Sequence, residues 1–173
     1  MVPGRRRSPL PSDTAYDPAQ RRPRRAPPCL SGGSMASIFT RIINGEIPGR
    51  IVWRDATCVA MVDIRPLNRG HVLVIPIAEV DRWTDLPAEV VAHCTGVAHA
   101  VGRAQMAVLS PTRIGLMVAG FEVPHTHLHV VPLENMSHLD FALADANADP
   151  ADLDVVADLL RGALRAEGHA EVT

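Results

Sequence analysis

From Met35 onward the spacing of apolar and polar positions changes every few residues, and each change predicts an element. "SIFTRIINGEIP" predicts a short helix capped by Ser37, with Pro48 closing the turn that follows. "RIVWRD" and "TCVAMVDI" predict β-strands joined by a hairpin turn at Asp55-Ala56. "RPLNRG" predicts a loop, and "HVLVIP" a buried strand ended by Pro76. Asp85 and Pro87 then open a long helix, in which Val90, Cys94, Val97, Val101, Ala104 and Val108 step by fours and threes along one buried stripe. "RIGLMVAG" predicts another strand, Gly120 to Pro124 a tight connection, and "HTHLHVVP" the last strand. Asp149-Pro150 begins a final helix with Leu153, Val156, Leu160 and Leu164 on one face, and Gly168 stops it. Consecutive strands joined by short turns, with helices inserted as blocks, predict an α+β domain on an antiparallel sheet.

Residues 1–34 follow a different grammar. They hold seven of the fifteen prolines and almost no apolar periodicity, so they cannot bury enough surface to offset their ordering entropy. The segment lacks the apolar core of a signal peptide, and its prolines spoil the amphipathic helix of a transit peptide. Two origins fit it: a basic arm for an anionic partner, or a disordered Arg/Pro-rich extension, with the working start at Met35. The second is the expectation, which leaves residues 35–173 as the folded domain.

Charge sharpens that division. Seven arginines against Asp13 and Asp17 give residues 1–34 a net of +5, so the total of −2 leaves −7 for residues 35–173. A folded part of that sign is not expected to bind nucleic acid. No apolar run approaches the roughly 20 residues of a membrane helix, so no membrane partner is expected either. The chain contains no lysine, which removes Schiff-base and lysine-nucleophile chemistry. Cys29, Cys58 and Cys94 are widely spaced and odd in number, forming neither a disulfide framework nor a C-x-x-C metal site. A reducing cytoplasm is the expected location.

Three of the eight histidines stand at alternate positions in "HTHLHVVP". On a strand, side chains two apart share a face about 6.5–7 Å from one another, so His125, His127 and His129 are expected in a row. Imidazoles make a poor hydrophobic surface, and two chemical roles remain. Two neighbouring rings can converge on a metal ion, with further ligands from elsewhere. Alternatively, the central ring attacks as a nucleophile while its neighbours fix its tautomer.

The segment H-T-H-L-H-V-V, residues 125–131, resembles the signature of the histidine triad (HIT) superfamily of nucleotidyl hydrolases and transferases. "SIFTRIINGEIPGRIVWRD", "VDIRPLNRGHVLVIP" and "EVPHTHLHVVP" are similar to family segments in the family's order, covering roughly residues 36–140. The resemblance implies a five-stranded antiparallel sheet with a long helix and a C-terminal helix, and a homodimer with one continuous sheet. It implies a purine nucleotide or nucleotide conjugate as partner and no cofactor. By resemblance, His127 is the nucleophile on the α-phosphorus, forming a nucleotidyl-histidine that water hydrolyses. His129 faces the phosphate or the departing group, and His125 and His71 support the rings through hydrogen bonds. Asp63 corresponds to the ribose ligand, while Phe39, Ile42, Met61 and Ile64 correspond to the walls around the base.

Two departures qualify the resemblance. Where some members carry a zinc-binding C-x-x-C, this chain has Ser37 and Thr40, so no structural zinc is expected. In the loop before the triad, Phe121 and Glu122 stand where phosphoramidases of the family offer Gln and Ser, leaving backbone N–H groups around Val123 to meet the phosphate. The implied activity is hydrolysis of a purine nucleoside 5′-phosphoramidate, nucleotidyl ester or dinucleoside polyphosphate. The altered loop keeps an alternative open, a nucleotide-binding regulatory module with little turnover.

Overall fold

The computed structural model describes residues 36–173, so the extension expected over residues 1–34 lies outside the described residues. The chain runs through α1 (Ile38–Ile43), β1 (Ile51–Arg54), β2 (Cys58–Val62), β3 (Val72–Pro76), α2 (Ala88–Leu109), β4 (Arg113–Val118), β5 (Leu128–Leu133) and α3 (Pro150–Ala166). The strands form one sheet in the order β1-β2-β3-β5-β4, and every neighbouring pair is antiparallel. This is the five-stranded α+β architecture expected from the sequence.

Alternation divides the sheet into two faces. Cys58, Ala60 and Val62 of β2, Val72 and Val74 of β3, and Leu128 and Val130 of β5 pack against α2 and α3. Val59, Met61, Leu73 and Ile75 point the other way and meet Phe39 and Ile43 of α1. Both faces are covered, which is why "CVAMV" and "VLVIP" read as unbroken apolar runs and are buried throughout.

The predicted stripe of α2 is the one that packs: Cys94, Val97, Val101 and Ala104 are buried, and Val90 and Val108 close its ends. Ser110 ends this helix in the left-handed region at φ 53°. In α3, Leu153, Val156, Leu160 and Leu164 are buried, Asp149 caps the first turn by accepting from the Ala151 amide, and Gly168 turns the chain at φ +88°. Gln105 was not singled out in the sequence, yet it ties α2 to the sheet. Its buried amide nitrogen donates to the carbonyls of Gly70 at 2.8 Å and Val130 at 3.0 Å. Gly70 has φ +90°, and a Cβ there would collide with Leu109.

The last strand is shorter than expected. It begins at Leu128, so His125 and His127 precede it. Continuing the register past the Val74–Leu128 pair would set Thr126 against Pro76, which has no N–H to give. The Thr126 amide instead donates to the Val80 carbonyl at 2.7 Å, and the His125 amide to Val123 at 2.8 Å. Among the described residues, no helix is long and apolar enough to cross a membrane.

Candidate active site

A cavity of about 550 Å³ opens on the α1 face of the sheet. Its walls include Phe39, Ile42, Met61, Asp63, Ile64, His71, Glu122, Val123, His127 and His129, ten of the eleven residues singled out in the sequence. His125 is fully buried behind the wall. Phe39 and Met61 are buried, whereas Ile64 is 65% exposed and stands at the mouth. Phe141, in a short 3-10 turn over Phe141–Leu143, also lines the cavity. Its ring lies edge-to-face on His129 at 5.0 Å. No sequence pattern marks Phe141, because the turn lies outside every periodic segment.

Backbone anchors assign the tautomer of each ring. His127 donates from Nδ1 to the His125 carbonyl at 2.8 Å, so its Nε2 carries a lone pair. His125 donates from Nε2 to the Pro76 carbonyl at 2.9 Å, and its Nδ1 accepts from the Ser37 hydroxyl at 2.8 Å. His71 Nδ1 accepts from the Leu67 amide at 3.2 Å, which leaves its proton on Nε2. That proton is given to His129 Nδ1 at 3.0 Å, so His129 carries its own proton on Nε2. A ring with a free lone pair therefore stands beside a ring with a free N–H, their centroids 4.7 Å apart.

Burial keeps the supporting rings neutral. Desolvation, with repulsion from His129 and His127, lowers His71 to about 3. Desolvation and His127 lower His129 to about 4, and burial also lowers His125. Asp63 moves oppositely: burial raises its carboxyl, while the Arg65 amide, His127 and the Arg65 charge hold it down. Its Oδ1 accepts from the Arg65 amide at 2.9 Å, and its Oδ2 is 3.4 Å from His71 Nδ1. Because His71 is neutral there, that approach is a contact between two acceptors rather than an ion pair. Glu122 is largely exposed at the rim, with Arg65 4.0 Å away, and Phe121 is fully exposed.

Two groups near the triad bear on metal binding. Asp63, His71 and His129 each offer one ligand atom within 4.8 Å of the others, a group that includes one triad ring and not the two neighbouring rings that could converge on an ion. Ser37 and Thr40 join His125 and Glu79 in a closed cluster, with the Ser37 amide donating to Glu79 at 3.1 Å and Thr40 donating its hydroxyl to the same carboxylate. That cluster offers hydroxyls in place of thiolates, and both nitrogens of His125 are already bonded. It does not fit a zinc ion.

The HIT domain model matches residues 44–136. The chain belongs to the HIT family. An uncharacterized HIT-like protein of Mycobacterium tuberculosis is 33% identical over 141 residues, 79% of this chain and 98% of its own. An adenosine 5′-monophosphoramidase of Schizosaccharomyces pombe is 31% identical over 106 residues, 58% of this chain and 77% of its own. Among solved structures, a Zn-bound histidine triad family protein from Mycobacterium smegmatis superposes with a TM-score of 0.68 at 34% identity, covering 80% of this chain and all of its own.

Proposed function

We propose that this HIT protein hydrolyses a purine nucleotide conjugate at the α-phosphorus, through a covalent intermediate on His127. The observation that carries the proposal is the hydrogen bond from His127 Nδ1 to the His125 carbonyl, which leaves the Nε2 lone pair on a wall shared with Asp63. In the first step Nε2 bonds to phosphorus, and the bond to the leaving group breaks. The departing atom takes its proton from solvent at the open mouth. The carbonyl of His125 stabilises the positive charge that the ring acquires, and His129 Nε2–H donates to a phosphate oxygen. Water then adds to phosphorus and gives up a proton to solvent, the P–N bond breaks, and a nucleoside monophosphate leaves with His127 restored. Phe39, Ile42, Met61 and Ile64 hold the base, and the Asp63 carboxylate accepts from the ribose hydroxyls.

The similarity to the adenosine 5′-monophosphoramidase of Schizosaccharomyces pombe supports a phosphoramidate among the substrates, with nucleotidyl esters and dinucleoside polyphosphates as the other candidates. Mixing the protein with a panel of adenylated compounds and reading intact mass tests this directly. A species heavier by one adenylyl group, mapped to His127, is the expected result. Glu122 at the rim and the exposed Phe121 beside it in the chain favour a second function, nucleotide binding with little turnover, because they stand where phosphoramidases of the family offer neutral phosphate donors. Nucleotide affinity without any adenylyl adduct would select it. The zinc in the Mycobacterium smegmatis structure has no counterpart in the mechanism proposed, and activity is expected to persist in excess chelator.

The proposal extends to a homodimer. Arg161 and the Arg54–Glu171 backbone bond cover the outer edge of β1. Among the described residues no backbone bond covers the outer edge of β4, and Leu116 on that strand is half exposed. Pairing β4 with its copy would make one continuous sheet and bury Leu116 with Met106 of α2. Light scattering on the eluting protein gives the mass that decides it.

A further inference from the structure

On the helix face of the sheet, the β1–β2 hairpin and α2 bring together donors that the proposed reaction does not use. The carboxylate of Asp55 is held from two sides. Its Oδ1 accepts from the amides of Thr57 at 2.7 Å and Cys58 at 2.8 Å. Its Oδ2 accepts from Trp53 Nε1 and from His93 Nε2, both at 2.7 Å, and lies 3.9 Å from Cys58 Sγ. One donor atom from each of Asp55, Cys58 and His93 lies within 4.8 Å of the other two. Cys94 follows His93 in α2 and is fully buried. Both thiols are free and belong to the core that packs α2 on the sheet.

We propose that Asp55, Cys58 and His93 form a site for a divalent, thiophilic metal ion such as Zn²⁺, distinct from the nucleotide cavity. Tetrahedral Zn²⁺ has bonds of about 2.0–2.1 Å to N and O and about 2.3 Å to S, which sets its donors roughly 3.3–3.8 Å apart. The observed separations of 2.7 and 3.9 Å around Asp55 Oδ2 straddle that range. A small shift of the His93 side chain completes the three protein donors, and water takes the fourth position. Trp53 and the two amides orient the carboxylate, as supporting partners do around metal ligands. His93 is 42% open and provides the entry path.

Binding exchanges the His93–Asp55 hydrogen bond for two metal bonds and releases the Cys58 thiol proton. One carboxylate, one thiolate and one neutral imidazole bring the site to net charge 0. The ion would pin α2 to the hairpin, on the face away from His127, and act on stability rather than on chemistry.

The test uses the full chain with Cys29→Ser, so that any thiolate signal comes from Cys58 and Cys94. Metal is stripped with chelator and Co²⁺ is titrated back. One equivalent should produce a near-ultraviolet thiolate-to-cobalt band with tetrahedral visible bands, and Zn²⁺ should displace it and raise the thermal midpoint. His93→Gln, an exposed change, and Cys58→Ala should each weaken Co²⁺ binding at least tenfold, while His129→Ala leaves the band unchanged. Absence of a thiolate band in the folded protein overturns the proposal. So does a band that survives in both His93→Gln and Cys58→Ala, or metal uptake lost only in His129→Ala, which would put the ion at Asp63, His71 and His129.

Discussion

His71 donates from Nε2 to Nδ1 of His129 across 3.0 Å, and the direction of that bond is set by the Leu67 amide on the far side of the His71 ring. Protonating either ring breaks the relay, since each Nδ1 is an acceptor. Both rings hold pKa values below the ordinary 6.5, about 3 for His71 and about 4 for His129. The unfolded chain therefore binds more protons than the folded one over that interval. Stability from these rings is fully present above pH 6.5 and is lost as pH falls toward 4 and 3, by up to about 1.4 kcal/mol per pH unit for each ring. Burial of Asp63 acts in the opposite sense, because a raised carboxyl favours the folded state as pH drops. A comparison of variants isolates the histidines. His71→Gln should be less stable at neutral pH, with a shallower decline in thermal midpoint between pH 6.5 and 4. Parallel curves for the two proteins would exclude the relay.

The helices and the sheet were legible because they obey simple periods. The α2 and α3 stripes are buried as the spacing implies, and Ser37 and Asp149 cap as their chemistry implies. The start of β5 was not legible, because it depends on Pro76 lying opposite, a pairing that only the folded sheet creates. Of the candidate site, the histidines and Asp63 stood out through the motif. Phe141, Glu79 and Gln105 did not, since each acts across a long sequence separation with no local pattern. The Asp55–His93 contact is of the same kind, its partners 38 positions apart in the chain.

Among the described residues, those that line the cavity lie between Ile38 and Asp154. The chain lacking residues 1–34 should therefore fold and bind AMP as the full chain does. Thermal midpoints and AMP affinities of both proteins check this. A tenfold loss of affinity on truncation, about 1.4 kcal/mol, would make the arginine-rich segment part of the site.

His127 and His129 differ in which nitrogen carries the proton, and their variants should differ accordingly. His127→Ala should abolish turnover and the adenylyl adduct, while AMP affinity stays within a few-fold, because in the proposed mechanism Asp63 and the apolar walls supply most of the binding. His129→Ala loses a donor to the phosphate and should retain slow adduct formation. Single-turnover rates and intact mass on both proteins decide it. An adduct on His127→Ala, with none on His129→Ala, reverses the assignment.

Glu122 presents its carboxylate at the rim of the same cavity, 72% exposed and 4.0 Å from Arg65. A carboxylate buried beside a phosphate would cost several kcal/mol, but one in water at about 4 Å costs only about 1 kcal/mol, and salt screens it. Arg65 offsets part of even that. Glu122→Gln should accordingly tighten AMP binding by no more than a few-fold at low salt, with the gain fading as ionic strength rises. A leaving group that carries an amine would feel the same carboxylate as an attraction. The variant should then lose rate selectively on amine-bearing adenylates and keep it on neutral ones. Comparing kcat/KM for a cationic and a neutral phosphoramidate in the two proteins, at low and high salt, measures this. If the ratio is unchanged at low salt, Glu122 does not select the leaving group.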